Sequence, residues 1–295
     1  LSDLLSQSLF SFLFSRFFIQ MTQTWQIGGL NFTVDVAGPA AGAPVILLHG
    51  FPQNRRMWRH QLNALAAAGF RALAPDQRGY CAGARPQGVD AYATGLLIGD
   101  VLAMIDATGA QRFHLVGHDW GGQLAWLIAA AHPHRVQTLS VLSRPHPAAF
   151  ARALAEDPEQ AKRSQHHRGF RQPEAIESLR KDNFKSFRLG LEREGIADPD
   201  IYLQPLNEEG ALQAAINWYR ASDIALSTIP PVTMPTLYVW GTKDASVGRR
   251  AAELTREFVH GPYEFVEIKG GGHFIVDQMP DRVAQLLLAH LQQAK

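Results

Sequence analysis

The hexapeptide Gly117-His118-Asp119-Trp120-Gly121-Gly122 is the strongest constraint on how this 295-residue chain can fold. The apolar run Phe113-His114-Leu115-Val116 precedes it, and a helix-favouring run from Gln123 to Ala131 follows. A strand that turns into a helix within so few residues needs small side chains at both ends of the turn. The residue in the middle is then presented above the sheet in a strained backbone conformation. That residue is Asp119. A carboxylate with a pKa near ~3.9 is more than about 99% ionised at pH 7, so it attacks without help from a base. It suits displacement at a saturated carbon that bears a strained or departing group. The product is an ester of the protein itself, which a second step must hydrolyse.

Two later segments supply groups for that step. Pro235 to Trp240 reads as a strand, and Gly241-Thr242-Lys243-Asp244 places a carboxylate on the loop after it. Glu264 to Ile268 reads as another strand, followed by Gly270-Gly271-Gly272-His273-Phe274. An acid at Asp244 would fix the tautomer of His273 and steady its imidazolium, and His273 would take a proton from water. General-base help of this kind is worth ~10²–10⁴-fold in rate. Near the start, the buried-strand run Val45-Ile46-Leu47-Leu48 ends in His49-Gly50-Phe51-Pro52, a turn compatible with a cis peptide at Pro52. The backbone N–H groups of Phe51 and Trp120 would form an oxyanion hole, where loss of one donor costs about 3–4 kcal/mol in the barrier.

These elements, together with Asp76-Gln77-Arg78-Gly79-Tyr80, resemble the epoxide-hydrolase branch of the α/β-hydrolase superfamily, which is related to the haloalkane dehalogenases. The likeness runs from about Thr24 to the C-terminus. Nucleophile, acid and histidine also follow one another in that superfamily's order. The resemblance implies an α/β fold with a mostly parallel central sheet, helices on both faces and an inserted helical cap. It implies opening of an epoxide to a vicinal diol through an ester on Asp119, cleaved by water that His273 and Asp244 activate, with no metal and no organic cofactor. In the family two cap tyrosines usually share the epoxide oxygen. Asn217-Trp218-Tyr219-Arg220 resembles the segment carrying one of them, which makes Tyr219 the candidate donor. The early-cap segment Ser164-Gln165-His166-His167-Arg168-Gly169-Phe170 has no tyrosine. His166 stands where the missing residue is expected, and a neutral imidazole can donate one hydrogen bond. Phe51, Trp120 and Trp218 suggest an apolar substrate pocket, with core packing the plainer role for Trp218.

The remaining chain fits one enzyme-sized domain. With 46% hydrophobic residues it can bury a large core. Strand-like and helical runs alternate from Pro44 to Leu142, with helices expected at Met57–Ala68, Tyr92–Thr108, Gln123–Ala131 and Asp281–Gln293. The alternation stops between Arg144 and Thr228, where no strand run appears. The expected division is therefore a core of residues 21–143 and 229–295, a helical cap of 144–228, and an N-terminal extension of 1–20. Leu9 to Ile19 is apolar but interrupted by serines and Arg16, too short to span a bilayer and unlike a secretory signal, which leaves Met21 as the initiator, the first reading, or the segment as an interfacial anchor, the second. A net charge of +1 gives no basic footprint for nucleic acid. The single cysteine, Cys81, cannot form an internal disulfide, which points to an inert thiol in a reducing, cytoplasmic setting. Asp76 and Arg78 read as structural ion-pair or turn residues, and His132 and His134 lack a third ligand for zinc. The expected assembly is a monomer or homodimer acting on a small apolar epoxide.

Two other readings use the same residues. A haloalkane or haloacid dehalogenase would need side-chain N–H donors around a halide. Trp120 could supply one, but Phe51 occupies the position where its relatives often carry a second. Relatives that cleave fluoroacetate carry arginine where this chain has Trp120. A hydrolase fold kept only for ligand binding is the third reading, since fold alone does not prove activity. An intact Asp119, Asp244 and His273 speaks against it.

Overall fold

The computed structural model describes residues 20–222 and 225–293, so the expectation for the opening segment, from Leu1 to Ile19, lies outside the described residues. Eight strands form one sheet: β1 (Met21–Ile27), β2 (Leu30–Ala37), β3 (Pro44–Leu48), β4 (Arg71–Pro75), β5 (Phe113–His118), β6 (Val136–Leu142), β7 (Thr236–Gly241) and β8 (Tyr263–Ile268). Their order is β1-β2-β4-β3-β5-β6-β7-β8. The pairs β1/β2 and β2/β4 are antiparallel, and every pair from β4 across to β8 is parallel. All residues of β3, β5 and β7 are buried, which explains why their sequences are apolar without alternation: helices cover both faces of a parallel sheet. The outer strands β1 and β8 are partly exposed.

From β3 the chain crosses to β4 on one side and then returns to β5 on the other. Strand order thus reverses between β3 and β5, and in open α/β sheets the crevice at the carboxyl ends of such strands is where ligands bind. Leu48 pairs with Gly117, so the turn after β3 lies beside the turn after β5. Three helices of this part are α1 (Arg59–Ala67), α2 (Thr94–Asp106) and α3 (Trp120–Ala131). The helix expected from Gln123 begins three residues earlier, because the chain leaves β5 through Asp119 alone.

Between Leu142 and Thr236 the described residues contain no strand. They form α4 (Pro147–Glu156), α5 (Pro158–Arg163), α6 (Gln165–Arg171), α7 (Ala175–Arg193, broken at Lys181–Phe184), α8 (Asp200–Leu206) and α9 (Ala211–Arg220). The sharp joint between α4 and α5 follows from Asp157-Pro158. Asp157 caps α5 by accepting the Glu159 N–H at 3.0 Å, and Pro158 fits the first helical position, where no N–H is needed. The chain then returns to β7 and closes with α10 (Arg249–Leu254), α11 (Ile275–Gln278) and α12 (Pro280–Gln292). No helix among the described residues is long and apolar enough to cross a membrane. Cys81 is buried and free.

Two glycines let β3 and the start of α3 meet. A Cβ on Gly121 would lie 2.1 Å from the Leu48 carbonyl oxygen, and one on Gly50 would lie 2.4 Å from the Asp119 Cβ. The obstacle at Gly121 is backbone, which cannot swing aside. Gly121→Ala is therefore expected to cost at least about 2–3 kcal/mol and to lower the melting temperature by several degrees. Thermal unfolding of the variant checks this, and a melting temperature within about a degree of the parent would contradict the packing described.

Candidate active site

Asp119 occupies the turn between β5 and α3 with φ 50° and ψ −117°, a conformation that L-residues rarely adopt. Its side chain is 13% exposed, so the carboxylate is reachable yet largely shielded. Oδ1 accepts a hydrogen bond from the Phe51 backbone N–H at 2.9 Å. Trp120, the first residue of α3, brings one of the N–H groups that a helix leaves without an internal acceptor. The peptide between Phe51 and Pro52 is cis.

The turn bearing Phe51 is held from behind. His49 is fully buried and accepts the Gln77 backbone N–H at Nε2 (3.1 Å), so its Nδ1–H faces the Gly50 carbonyl (3.1 Å). The Gln77 side-chain amide donates to the His49 carbonyl at 2.6 Å. Burial pushes the His49 pKa down to about 4, which keeps it neutral in this role. The neighbours of Gln77 do structural work, as expected: Asp76 accepts the Arg55 N–H, and Arg78 grips Asp100 through two 2.7 Å bonds.

His273 and Asp244 come to the same place from the ends of β8 and β7. His273 Nδ1 lies 3.0 and 3.1 Å from the two Asp244 oxygens, and its Nε2 lies 3.7 Å from Asp119 Oδ2. The second distance is a charge contact rather than a hydrogen bond. Asp244 is fixed by the N–H groups of Ser246 and Val247, each at 2.8 Å from its Oδ1. Helix α5 braces the same loop, with Arg163 donating to the Asp244 carbonyl and Gln160 bonding both Ser246 and Gly248.

The charges are strongly coupled. Burial would push His273 down, but the Asp244 charge and contact with both carboxylates outweigh it and raise its pKa to about 10. Burial would likewise raise Asp119, yet the imidazolium of His273, helped by Arg144, holds it well below the usual carboxylate range. The resting pair is therefore carboxylate and imidazolium. His118 supports it by bonding the His273 carbonyl at 2.9 Å while burial keeps His118 itself near about 4.

A chamber of about 110 Å³ opens on Asp119 and His273, and both Tyr219 and His166 line it together with Phe51, Phe170 and Phe187. Burial, then the Asp119 charge, raises the Tyr219 pKa well above its ordinary value, so it remains a phenol that can donate. His166 is different. Its Nδ1 lies 3.0 Å from the Arg163 carbonyl, which fixes the proton there and leaves Nε2 of the neutral ring able only to accept. Burial lowers its pKa and reinforces that neutral form. His167 packs against Tyr219 and Trp120 with ring centroids 5.4 and 6.4 Å apart. Its only advance signal was adjacency to His166. Trp218 does not line the chamber. Its indole N–H donates to the Arg78 carbonyl at 2.9 Å and its ring abuts Tyr80 and Trp120, so it props the site from outside. Among the described residues no group of three or more histidine, cysteine or acidic side chains could hold a metal.

Residues 45–286 match the model of the alpha/beta hydrolase family. Epoxide hydrolase 4 of Mus musculus is 34% identical over 281 residues, which cover 90% of this chain and 77% of that protein. The AB hydrolase superfamily protein YfhM of Bacillus subtilis is 33% identical over 90% of this chain and 95% of its own length. A solved structure described among novel epoxide hydrolases from hot-environment metagenomes superposes with a TM-score of 0.82 at 32% identity, over 92% of this chain and 99% of that one. The chain belongs to the α/β hydrolase family, in its epoxide-hydrolase-like branch.

Proposed function

We propose that the protein hydrolyses a small epoxide to a vicinal diol, with Asp119 as nucleophile, His273 and Asp244 activating water, and the helical segment 144–228 serving as the cap over the site. The observation that carries this reading is a strained, ionised Asp119 sharing one chamber with the phenol of Tyr219. Asp119 attacks an epoxide carbon, the carbon–oxygen bond breaks, and the departing oxygen takes the Tyr219 proton.

Formation of the ester removes the Asp119 charge, and with it much of what holds the proton on His273. The imidazolium can now return a proton to Tyr219 through solvent and become a base. Neutral His273 takes a proton from water as the oxygen attacks the ester carbon, and the oxyanion sits against the Phe51 and Trp120 N–H groups. Collapse releases the diol and restores the carboxylate beside an imidazolium. One water is consumed and every proton is returned.

The same chamber disfavours halide as leaving group. Phe51 contributes no side-chain donor, and Trp120, whose indole would be the other donor, does not line this chamber. His166 in its neutral form cannot share the epoxide oxygen as a donor, so Tyr219 carries the larger part of that task.

His273→Gln should stop the second step and leave the first. Intact-protein and peptide mass spectrometry after exposure to a panel of aliphatic and aromatic epoxides should find one substrate mass added at Asp119. No adduct with any of them, or an adduct elsewhere, would contradict the assignment. Tyr219→Phe is expected to lower the rate of adduct formation by about 10²-fold or more in that background, the usual scale of acid catalysis.

A pH prediction follows from the charge coupling. His273 has a folded-state pKa above the ordinary 6.5, so its pairing stabilises the fold fully below about pH 6.5, and that contribution fades as pH rises through about 10. Asp119→Asn removes one of the two carboxylates. Nuclear magnetic resonance titration should then place His273 below about 10, and the loss of stability that starts near pH 6.5 should end at a lower pH and be smaller in total. An unchanged titration would show that Asp119 does not hold the proton on His273.

A further inference from the structure

A second cavity, of about 260 Å³, adjoins the chamber of Asp119. Trp120 lines it and packs edge-on against Tyr219, which lines the chamber. Its walls are apolar at Phe150, Leu154 and Leu226 and cationic at Arg144, Arg168 and Arg171. No aspartate or glutamate among the described residues lines it.

Arg144 is the unusual member. It lies two residues past the end of β6, is only 6% exposed, and makes no ion pair with a carboxylate among the described residues. Its Nε and Nη2 both donate to the same neutral acceptor, Oε1 of Gln123, at 2.9 and 2.7 Å, and Nη1 makes no hydrogen bond among the described residues. The Phe150 ring lies 4.4 Å from its Cζ. Other shielded arginines here are matched by acids: Arg78 by Asp100, and Arg55 by Asp35 and Asp76. Buried charges are ordinarily paired in direct contact, whereas the Asp119 charge acts on Arg144 without an ion-pair contact. A planar guanidinium fixed on two sides, with its third nitrogen free beside a cavity, suits a carboxylate.

We propose that Arg144 is a carboxylate-binding residue and that the substrate is an epoxy acid, its ring at Asp119 and its carboxylate beyond an apolar spacer in the second cavity. This rests on the epoxide-hydrolase reading for the ring but not for the anion. Arg168 and Arg171 add positive potential that draws the anion in, while the apolar wall favours a spacer of methylene groups.

The test compares ω-epoxyalkanoates of five to nine carbons with the matching primary amides, which have nearly the same shape and no charge. The parent protein should show higher kcat/KM for acid than for amide. In Arg144→Gln the acid-to-amide ratio should fall by about 10- to 100-fold, the usual effect of losing one charged hydrogen-bonding partner. Calorimetric titration with hexanoate, which carries no epoxide, should show binding to the parent and none to Arg144→Gln. Equal turnover of acid and amide by the parent, or an unchanged ratio in the variant, would overturn the proposal. If neither acids nor amides are turned over, the hydrolase reading fails, and the hexanoate titration alone decides the role of Arg144. Should Arg144→Gln not fold, Arg144→Lys keeps the charge without the planar fork. An intermediate ratio then supports the proposal, and an unchanged one overturns it.

Discussion

The close approach of the β5–α3 turn to the end of β3 is the constraint on which everything else in the site depends. It holds Asp119 at positive φ and brings its carboxylate within reach of the Phe51 N–H. Backbone strain of this sort costs on the order of 1–3 kcal/mol and persists only where the surroundings fix it. Here the surroundings are buried strands on both sides and glycines that leave no room for a side chain. A looser turn would relax the residue and draw the carboxylate away from the crevice.

Charge gives the same arrangement its chemistry. Two carboxylates hold one imidazolium, and His273 and Asp119 each overcome a burial penalty that would neutralise them alone. In the proposed mechanism, removing one negative charge by ester formation turns a proton holder into a base, so the first step would prepare the second. The helical segment also takes part, since Arg163 and Gln160 of α5 hold the loop that carries Asp244. Movement of that segment would be felt by the acid and, through it, by His273.

Much of this was legible in the sequence because the central strands are buried on both faces and read as unbroken apolar runs. The turn glycines mark where backbones meet, and Asp119, Asp244 and His273 stand together as their positions at strand ends suggested, while Tyr219, pointed to only by the family resemblance of its segment, lines the same chamber. The hairpin of β1 and β2 was harder to read, because its mixed residues lie at an exposed edge where tertiary pairing decides the conformation. Gln77 was another blind spot, since its task is a bond to the backbone of a residue 28 positions away. For Trp218 the sequence left a substrate contact open beside the plainer core-packing role, and the bond of its indole to the Arg78 carbonyl accompanies its absence from the chamber wall. The donor and acceptor sides of His166 depend on the Arg163 carbonyl, and a sequence gives no ring orientation.

The most direct measurement is a single turnover in water enriched in ¹⁸O, with enzyme in excess over an epoxide. If the Asp119 carboxylate forms the ester, the first diol released carries an unlabelled oxygen taken from the protein, and label appears in the peptide containing Asp119. Label in the first diol together with an unlabelled Asp119 would mean that water attacks the epoxide directly, and the nucleophilic role of Asp119 would have to be abandoned.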